Sequence, residues 1–211
     1  MKVLLTGATG GIGKSIYKKF VNMGHEVIAP TRYELNLLDT IKLNDVSYDI
    51  IINNAGINPL HYIEDVTPNN IMRINYLAPL EILQQCLPYM KKNNYGRVIN
   101  MGSIWLDFAK SKRHYYSASK NALHSLTKSI TAEYSMYNVL SNTISPGYID
   151  TVLTHINNNS EELDKIKKQI PQQRMGTPEE VAELVYFLTV NNTYITGQNI
   201  IIDGGFSCTI Q

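Results

Sequence analysis

Val3-Leu4-Leu5-Thr6-Gly7-Ala8-Thr9-Gly10-Gly11-Ile12-Gly13 runs a short aliphatic stretch straight into a cluster of glycines. Consecutive aliphatic residues suit a strand buried on both faces. The glycines make a turn in which no side chain blocks the approach of a ligand to the backbone. Beyond them Ile12, Ile16, Phe20 and Val21 recur at helical spacing as far as Met23-Gly24, where Gly24 stops the helix. A glycine turn between a strand and a helix leaves free N–H groups and a partial positive charge at the helix start. Both suit the pyrophosphate of a dinucleotide. Tight turns alone also select glycine, so the weight of this reading comes from the order of the segments C-terminal to the turn.

The rest of the chain alternates. Val27-Ile28-Ala29 reads as a second strand, Leu35 to Leu37 as a third, and Ile50-Ile51-Ile52 as a fourth that runs into Asn53-Asn54-Ala55-Gly56. A long helix is expected from about Pro68 to Lys92, with Pro79 and Pro88 inside it as points of kinking. Arg97 to Met101 is a strand, Tyr116 to about Tyr137 a helix, Val139 to Ile144 a strand, Pro178 to Val190 a helix and Asn199 to Ile202 a last strand. The stretch from Leu153 to Gln169 reads as a loop. Uniformly apolar strands alternating with helices describe an α/β, Rossmann-like, doubly wound parallel sheet, here as a single domain over residues 1–211. Such sheets bind ligands beyond the carboxyl ends of their strands.

Bulk properties narrow the function. The chain has 211 residues, with 19 basic against 18 acidic side chains and a formal charge of +1. That balance argues against a nucleic-acid partner, which needs a basic stripe. No apolar run is long enough to span a membrane, and Met1 to Thr6 does not read as a secretory signal. Cys86 and Cys208 have no redox or metal spacing, and His25, His61, His114, His124 and His155 have none for a metal. A cytoplasmic protein with reduced thiols and no metal is expected.

The glycine spacing TGxxxGxG, carried by Thr6, Gly7, Gly11 and Gly13, resembles that of the short-chain dehydrogenase/reductase family. The resemblance continues in order through Asn53-Asn54-Ala55-Gly56, Ser103, Tyr116, Lys120 and Pro146-Gly147 to Ile195-Thr196-Gly197-Gln198 and Asp203-Gly204-Gly205. It implies an NAD(P)-dependent oxidoreductase that interconverts a carbonyl and an alcohol by hydride transfer.

The chemistry agrees with the residues. Reducing a ketone needs a proton donor at oxygen. Tyr116 and Lys120 are four apart on an expected helix and so share a face. An ammonium beside a phenol favours the phenolate and is expected to lower its pKa. A pair at this spacing also occurs where tyrosine only packs. By resemblance Ser103 orients the substrate, and Asn75 holds a water linking Lys120 to solvent, unless it is simply a structural asparagine. The resemblance also implies the cofactor contacts. Gly7, Thr9, Gly11, Ile12 and Gly13 would face the phosphates; Asn36 and Leu37, the adenine; Asn53, Ala55 and Gly56, the adenosine ribose. Pro146, Gly147, Ile149 and Thr151 would surround the nicotinamide, and Tyr116 and Lys120 would reach its ribose.

Between the second and third expected strands only Pro30 to Glu34 intervenes, leaving no room for a helix. Thr31 stands where an NAD-type acid is expected and Arg32 follows, which leans to NADP over NAD, with Glu34 as the contrary hint. The stretch Gln169 to Glu180 is similar to that of 3-oxoacyl carrier-protein reductases. The positions that dock the carrier in that subgroup hold Asn94 and Tyr137 here, with Lys91, Lys92 and Arg97 nearby. Trp105 to His114, with Lys110, Lys112 and Arg113, is a basic lip that suits an anionic or sugar-nucleotide substrate or is merely solvated.

The expected substrate is a small carbonyl compound or alcohol, with a 3-oxoacyl thioester and a keto-sugar as candidates. Association as a homodimer or homotetramer through the two long helices is implied by resemblance. The rival readings are a sugar-nucleotide epimerase or dehydratase with retained cofactor, and a catalytically silent NAD(P) sensor. The chain's end soon after Gly205 counts against the first, and the intact Tyr116, Lys120 and Ser103 against the second.

Overall fold

Six apolar runs pair into one parallel sheet. In this computed structural model, which describes residues 1–65 and 70–209, the strands are β1 (Lys2–Leu5), β2 (Glu26–Ile28), β3 (Ile50–Asn53), β4 (Gly96–Met101), β5 (Val139–Pro146) and β6 (Asn199–Ile202). Their spatial order is β2-β1-β3-β4-β5-β6. Helices α1 (Gly11–Asn22) and α7 (Pro178–Tyr186) cover one face; α3 (Ala78–Lys92) and α4 (His114–Tyr134) cover the other. Alternation along β1 sends Val3 and Leu5 into the layer with Ile16, Phe20 and Val181, and Leu4 into the layer with Ile82, Met90 and Ile130. Strands buried on both faces need such unbroken aliphatic runs, and Ile50 to Ile52 are wholly buried.

The expected strand at Leu35 to Leu37 does not form. Asn36 Oδ1 accepts from the Leu38 N–H at 3.2 Å and closes a local turn. Leu35 and Leu37 keep their apolar role by packing against the α3 layer. Strand β2 therefore ends the sheet on that side.

The expected loop over residues 153–169 is two helices instead, α5 (Val152–Ile156) and α6 (Ser160–Gln169). Asn159 and Glu162 form a capping box at the start of α6, and Leu163, Ile166 and Ile170 bury one face of it.

The start of the long helix at Pro68 lies outside the described residues. From there the chain runs through α2 (Asn70–Met72), a π-turn at Arg73–Leu77, and α3. The wide turn stands just ahead of Pro79, whose ring and missing N–H fit poorly into a regular helix. Helix α4 ends at Tyr134 and tightens into a turn that stops at Asn138, in the left-handed region at φ 56°. No helix among the described residues is long and apolar enough to cross a membrane.

All six strands point the same way, so the turns after β1, β3, β4 and β5 meet at one edge of the sheet. Those turns carry Thr6-Gly7, Asn54 to Gly56, Gly102-Ser103 and Gly147 to Ile149. The reversal of strand order at β1 opens a cleft there.

Candidate active site

The cleft has two connected parts. The larger, about 820 Å³, is lined by the glycine turn (Gly7 to Gly13), by Arg32, Asn36 and Leu37, and by Ala55 and Gly56. The smaller, about 200 Å³, is lined by Ser103, Tyr116 and Lys120 and by Pro146, Gly147 and Ile149. Ile12, Asn54, Gly56 and Thr151 belong to both walls. Expected cofactor and catalytic residues thus fall on one continuous surface, with two exceptions.

Asn53 is the first exception. Its side chain is buried and donates to Asn100 Oδ1 at 2.8 Å, beneath the sheet rather than in the cleft. The adjacent Asn54, which sequence reasoning passed over, does the work at the turn. Its Nδ2 donates to the carbonyls of Thr6 and Gly7, each at 3.0 Å. Thr6 Oγ1 in turn accepts from the N–H groups of Asn54 and Ala55, both at 3.1 Å. A Thr and an Asn thereby clamp the ends of β1 and β3 together.

The second exception is Asn75, which is wholly buried in the π-turn. Its Oδ1 accepts from Ile57 N at 2.9 Å, and its Nδ2 donates to Ile57 O and Ser119 Oγ, both at 3.0 Å. These bonds brace the loop after β3 against α4 and leave one acceptor lone pair free. A Cβ on Gly56 would lie 3.2 Å from Asn75 Oδ1 and 3.3 Å from Lys120 Nζ, so the glycine lets these side chains close around the backbone.

The glycines of the first turn divide their duties. A Cβ at Gly13 would stand 2.1 Å from Gly7 O, and one at Gly11 would stand 2.8 Å from Thr151 Cγ2. These two are required by protein packing. A Cβ at Gly10 would meet only Gly7 O, at 3.6 Å, and Gly7 adopts φ +71°. The N-terminus of α1 carries no side-chain cap. Its orphan N–H groups suit the oxygens of a phosphate, and they stand at the larger part of the cleft.

A buried polar ladder sets the register of α4 against the sheet. Asn100 Nδ2 donates to Thr127 Oγ1 at 2.8 Å, and Thr127 and His124 both reach Thr143 Oγ1, at 2.8 and 3.0 Å. Satisfied networks of this kind fix one arrangement. One turn and more up the same helix sit Lys120 and Tyr116.

Lys120 is buried, and its Nζ donates to Met101 O at 2.7 Å while lying 5.7 Å from the centre of the Tyr116 ring. Burial pulls its pKa down to about 8. Tyr116 is half-buried and lines the smaller cavity together with Ser103. Its pKa is raised, chiefly by burial, although the Ser103 hydroxyl and the charge of Arg113 act to lower it. The sequence leads one to expect Lys120 to lower it. Its ammonium is committed to a backbone carbonyl, and the burial that both groups share penalises the phenolate as it does the ammonium. Tyr116 is therefore held as a phenol, ready to give a proton. Ser103 is 6% exposed, and its Oγ also accepts from Trp105 N at 3.3 Å.

Two basic residues expected near a docking face prove different in kind. Arg97 is buried in β4, donates to the carbonyls of Gly96 and Asn138 at 2.8 Å, and stacks on Tyr95. It cannot meet an incoming acidic protein. Lys91 lies over the Tyr137 ring, 4.5 Å from its centre.

Residues 35–207 match the family profile described as enoyl-(acyl carrier protein) reductase. The chain is 33% identical to the 3-oxoacyl-[acyl-carrier-protein] reductase FabG of Buchnera aphidicola subsp. Schizaphis graminum, over 98% of this chain and 97% of that protein. Among solved structures, ElxO with NADP bound superposes with a TM-score of 0.88 at 26% identity, covering 99% of both chains. The 4-hydroxyisoleucine dehydrogenase complexed with NADH does so at 0.87, also with 26% identity and 99% coverage of both.

Proposed function

Since the chain belongs to the short-chain dehydrogenase/reductase family, we propose that Tyr116 is the general acid/base of its reaction. The protein is an NAD(P)-dependent oxidoreductase that interconverts a carbonyl and an alcohol. The observation that carries the role of Tyr116 is its place beside Ser103 on the wall of the smaller cavity, with Lys120 Nζ 5.7 Å from the centre of its ring.

The nicotinamide, when bound, donates or accepts the hydride. Ser103 holds the substrate oxygen, and Tyr116 passes its proton to that oxygen as the carbonyl carbon is reduced. The C=O bond becomes CH–OH, and the phenolate regains a proton from solvent. Lys120 steadies the phenolate charge while it lasts. Asn75 is a positioning residue that braces the loop after β3 and keeps Ser119 and α4 in place. Gly7, Thr9, Gly10 and Gly11 form the phosphate cradle, with Ile12 and Gly13 behind them. Asn36 and Leu37 flank the adenine, Ala55 and Gly56 the adenosine ribose, and Pro146, Gly147, Ile149 and Thr151 the nicotinamide.

NADP is the favoured cofactor. Arg32 lines the cleft, where a guanidinium can pair with a 2′-phosphate. The competing acid, Glu34, is already engaged by Thr31 N at 2.7 Å. The chain works as one cytoplasmic domain that associates through α3 and α4 as a homodimer or homotetramer. An epimerase, a dehydratase or a silent sensor is not favoured.

The test is Tyr116→Phe, assayed by the loss of reduced-cofactor absorbance against a panel of simple ketones, keto-sugars and 3-oxoacyl thioesters. Turnover should fall by about 10²–10⁴ while the cofactor still binds. Undiminished turnover would remove Tyr116 from the mechanism.

A further inference from the structure

The small cavity has a wall that the proton transfer from Tyr116 does not use. Arg113, three residues ahead of Tyr116, is only 6% exposed, and arginine is almost never so buried unless paired. Among the described residues no carboxylate forms an ion pair with it. Its Nη1 makes a long bond to Asn58 O at 3.4 Å, and its buried Nε has no hydrogen-bond partner. Asn58 lines the same cavity, and its buried Oδ1 is likewise without a partner. A guanidinium stays charged even when burial opposes it, so an isolated one is held at a cost until an anion arrives.

That anion is not the cofactor's phosphate. Arg113 lines the cavity with Ser103 and Tyr116, and it is not part of the cleft at the glycine turn. Among the described residues, two cations, Arg113 and Lys120, and no acidic side chain line this cavity. Lys120 Nζ has a short bond to Met101 O at 2.7 Å, whereas Arg113 has only its long bond to Asn58 O, which makes Arg113 the less satisfied of the two. At the mouth, Lys110 Nζ bonds the Tyr148 hydroxyl at 2.8 Å and adds a second cation on the approach. A volume of about 200 Å³ lies below the roughly 300–1,000 Å³ of ordinary ligand pockets and suits a molecule of few carbons.

We propose that Arg113 receives a carboxylate of the substrate, so that the protein reduces a small oxo acid or oxidises the matching hydroxy acid. A planar guanidinium can take a carboxylate through two parallel hydrogen bonds, and Arg113 lines the cavity while its one side-chain bond is long. The carboxylate takes no part in bond making; it fixes which carbonyl faces Tyr116. This inference rests on the reading of Tyr116 and Ser103 as the reacting site.

Trp105, the single tryptophan, lies on the wall of the same cavity and reports binding without turnover. The protein is saturated with NADP⁺ and titrated with pyruvate, acetoacetate and levulinate, and with the methyl ester of each, following Trp105 fluorescence. Reduction rates with NADPH are then compared within each pair. At least one acid should bind about 10- to 100-fold more tightly than its ester, the range of a hydrogen bond to a charged group. That ratio should collapse towards unity in Arg113→Gln and survive in part in Arg113→Lys.

Equal binding in every pair, a preference that survives Arg113→Gln, or tighter binding of dihydroxyacetone phosphate than of every acid would overturn the assignment. If Arg113→Gln does not fold, the wild-type ratios and the Lys variant still decide. Acid-selective binding with no turnover of any substrate keeps Arg113 as the carboxylate site and sinks the reaction assigned to Tyr116. Equal turnover of acids and esters does the reverse.

Discussion

Replacing Lys120 with methionine should change how stability depends on pH, because the folded protein holds this ammonium almost wholly buried. Its pKa falls from the ordinary 10.5 to about 8, with burial as the cause. That drop corresponds to about 3 kcal/mol of stability withheld at neutral pH. The sign comes from proton counting. Below about pH 8 the lysine is protonated both folded and unfolded, and the full cost applies. Between about 8 and 10.5 the unfolded chain binds more protons, so stability recovers as the pH rises. Above 10.5 the lysine is neutral in both states and the cost is gone. Lys120→Met has no such dependence, and every other titrating group cancels in the difference. Urea unfolding of both proteins across this range should show the wild type gaining about 3 kcal/mol on the variant. At neutral pH the variant should be no less stable than the wild type by more than about 1–3 kcal/mol, the cost of the unpaired Met101 carbonyl. A difference that stays flat with pH would refute the reasoning, since it would mean that Lys120 is solvated in the folded state.

Gly13→Ala should prevent folding or cofactor binding, since its Cβ would stand 2.1 Å from Gly7 O. Gly24→Ala, with open space around the Cβ and only its φ of +81° against it, should cost about 1–2 kcal/mol by thermal unfolding. Thr6→Val removes the acceptor shared by the Asn54 and Ala55 N–H groups. It should cost about 1–3 kcal/mol and weaken cofactor binding; a variant as stable as the wild type speaks against the clamp. Arg32→Glu should cut the NADPH-to-NADH ratio of kcat/KM by about tenfold or more, and an unchanged ratio would take Arg32 out of cofactor choice.

The glycine turn and the Tyr116–Lys120 pair are readable because spacing alone puts their members together. A strand-turn-helix needs its glycines in sequence, and a helix brings i and i+4 to one face. Arg113 could not be read that way. In sequence it belongs to a basic run with Lys110 and Lys112, and such runs are ordinarily solvated. Its burial depends on Asn58, 55 positions away. Lys120 shows the same limit. Its distance from Tyr116 follows from the helix, but the carbonyl that occupies its ammonium belongs to β4. Helix α6 carries a legible signal that a loop reading overlooks: Asn159 and Glu162 spell a capping box ahead of Leu163, Ile166 and Ile170. The strand expected at Leu35 to Leu37 fails for a local reason, the competing side-chain bond of Asn36.

The outermost strand has a bearing on how copies of this chain behave at high concentration. Among the described residues no strand lies beyond β2, which leaves backbone donors and acceptors open along the margin of the sheet. An open margin is a template on which another molecule can add its own strand. Here the template is three residues long, and Glu26 sets a charge on it within 3.8 Å of Lys2. A visiting strand would find too few hydrogen bonds to hold it and a charged residue to displace. Fibril-like self-association is therefore disfavoured at this edge, even though the strand expected at Leu35 to Leu37 does not form to cover it.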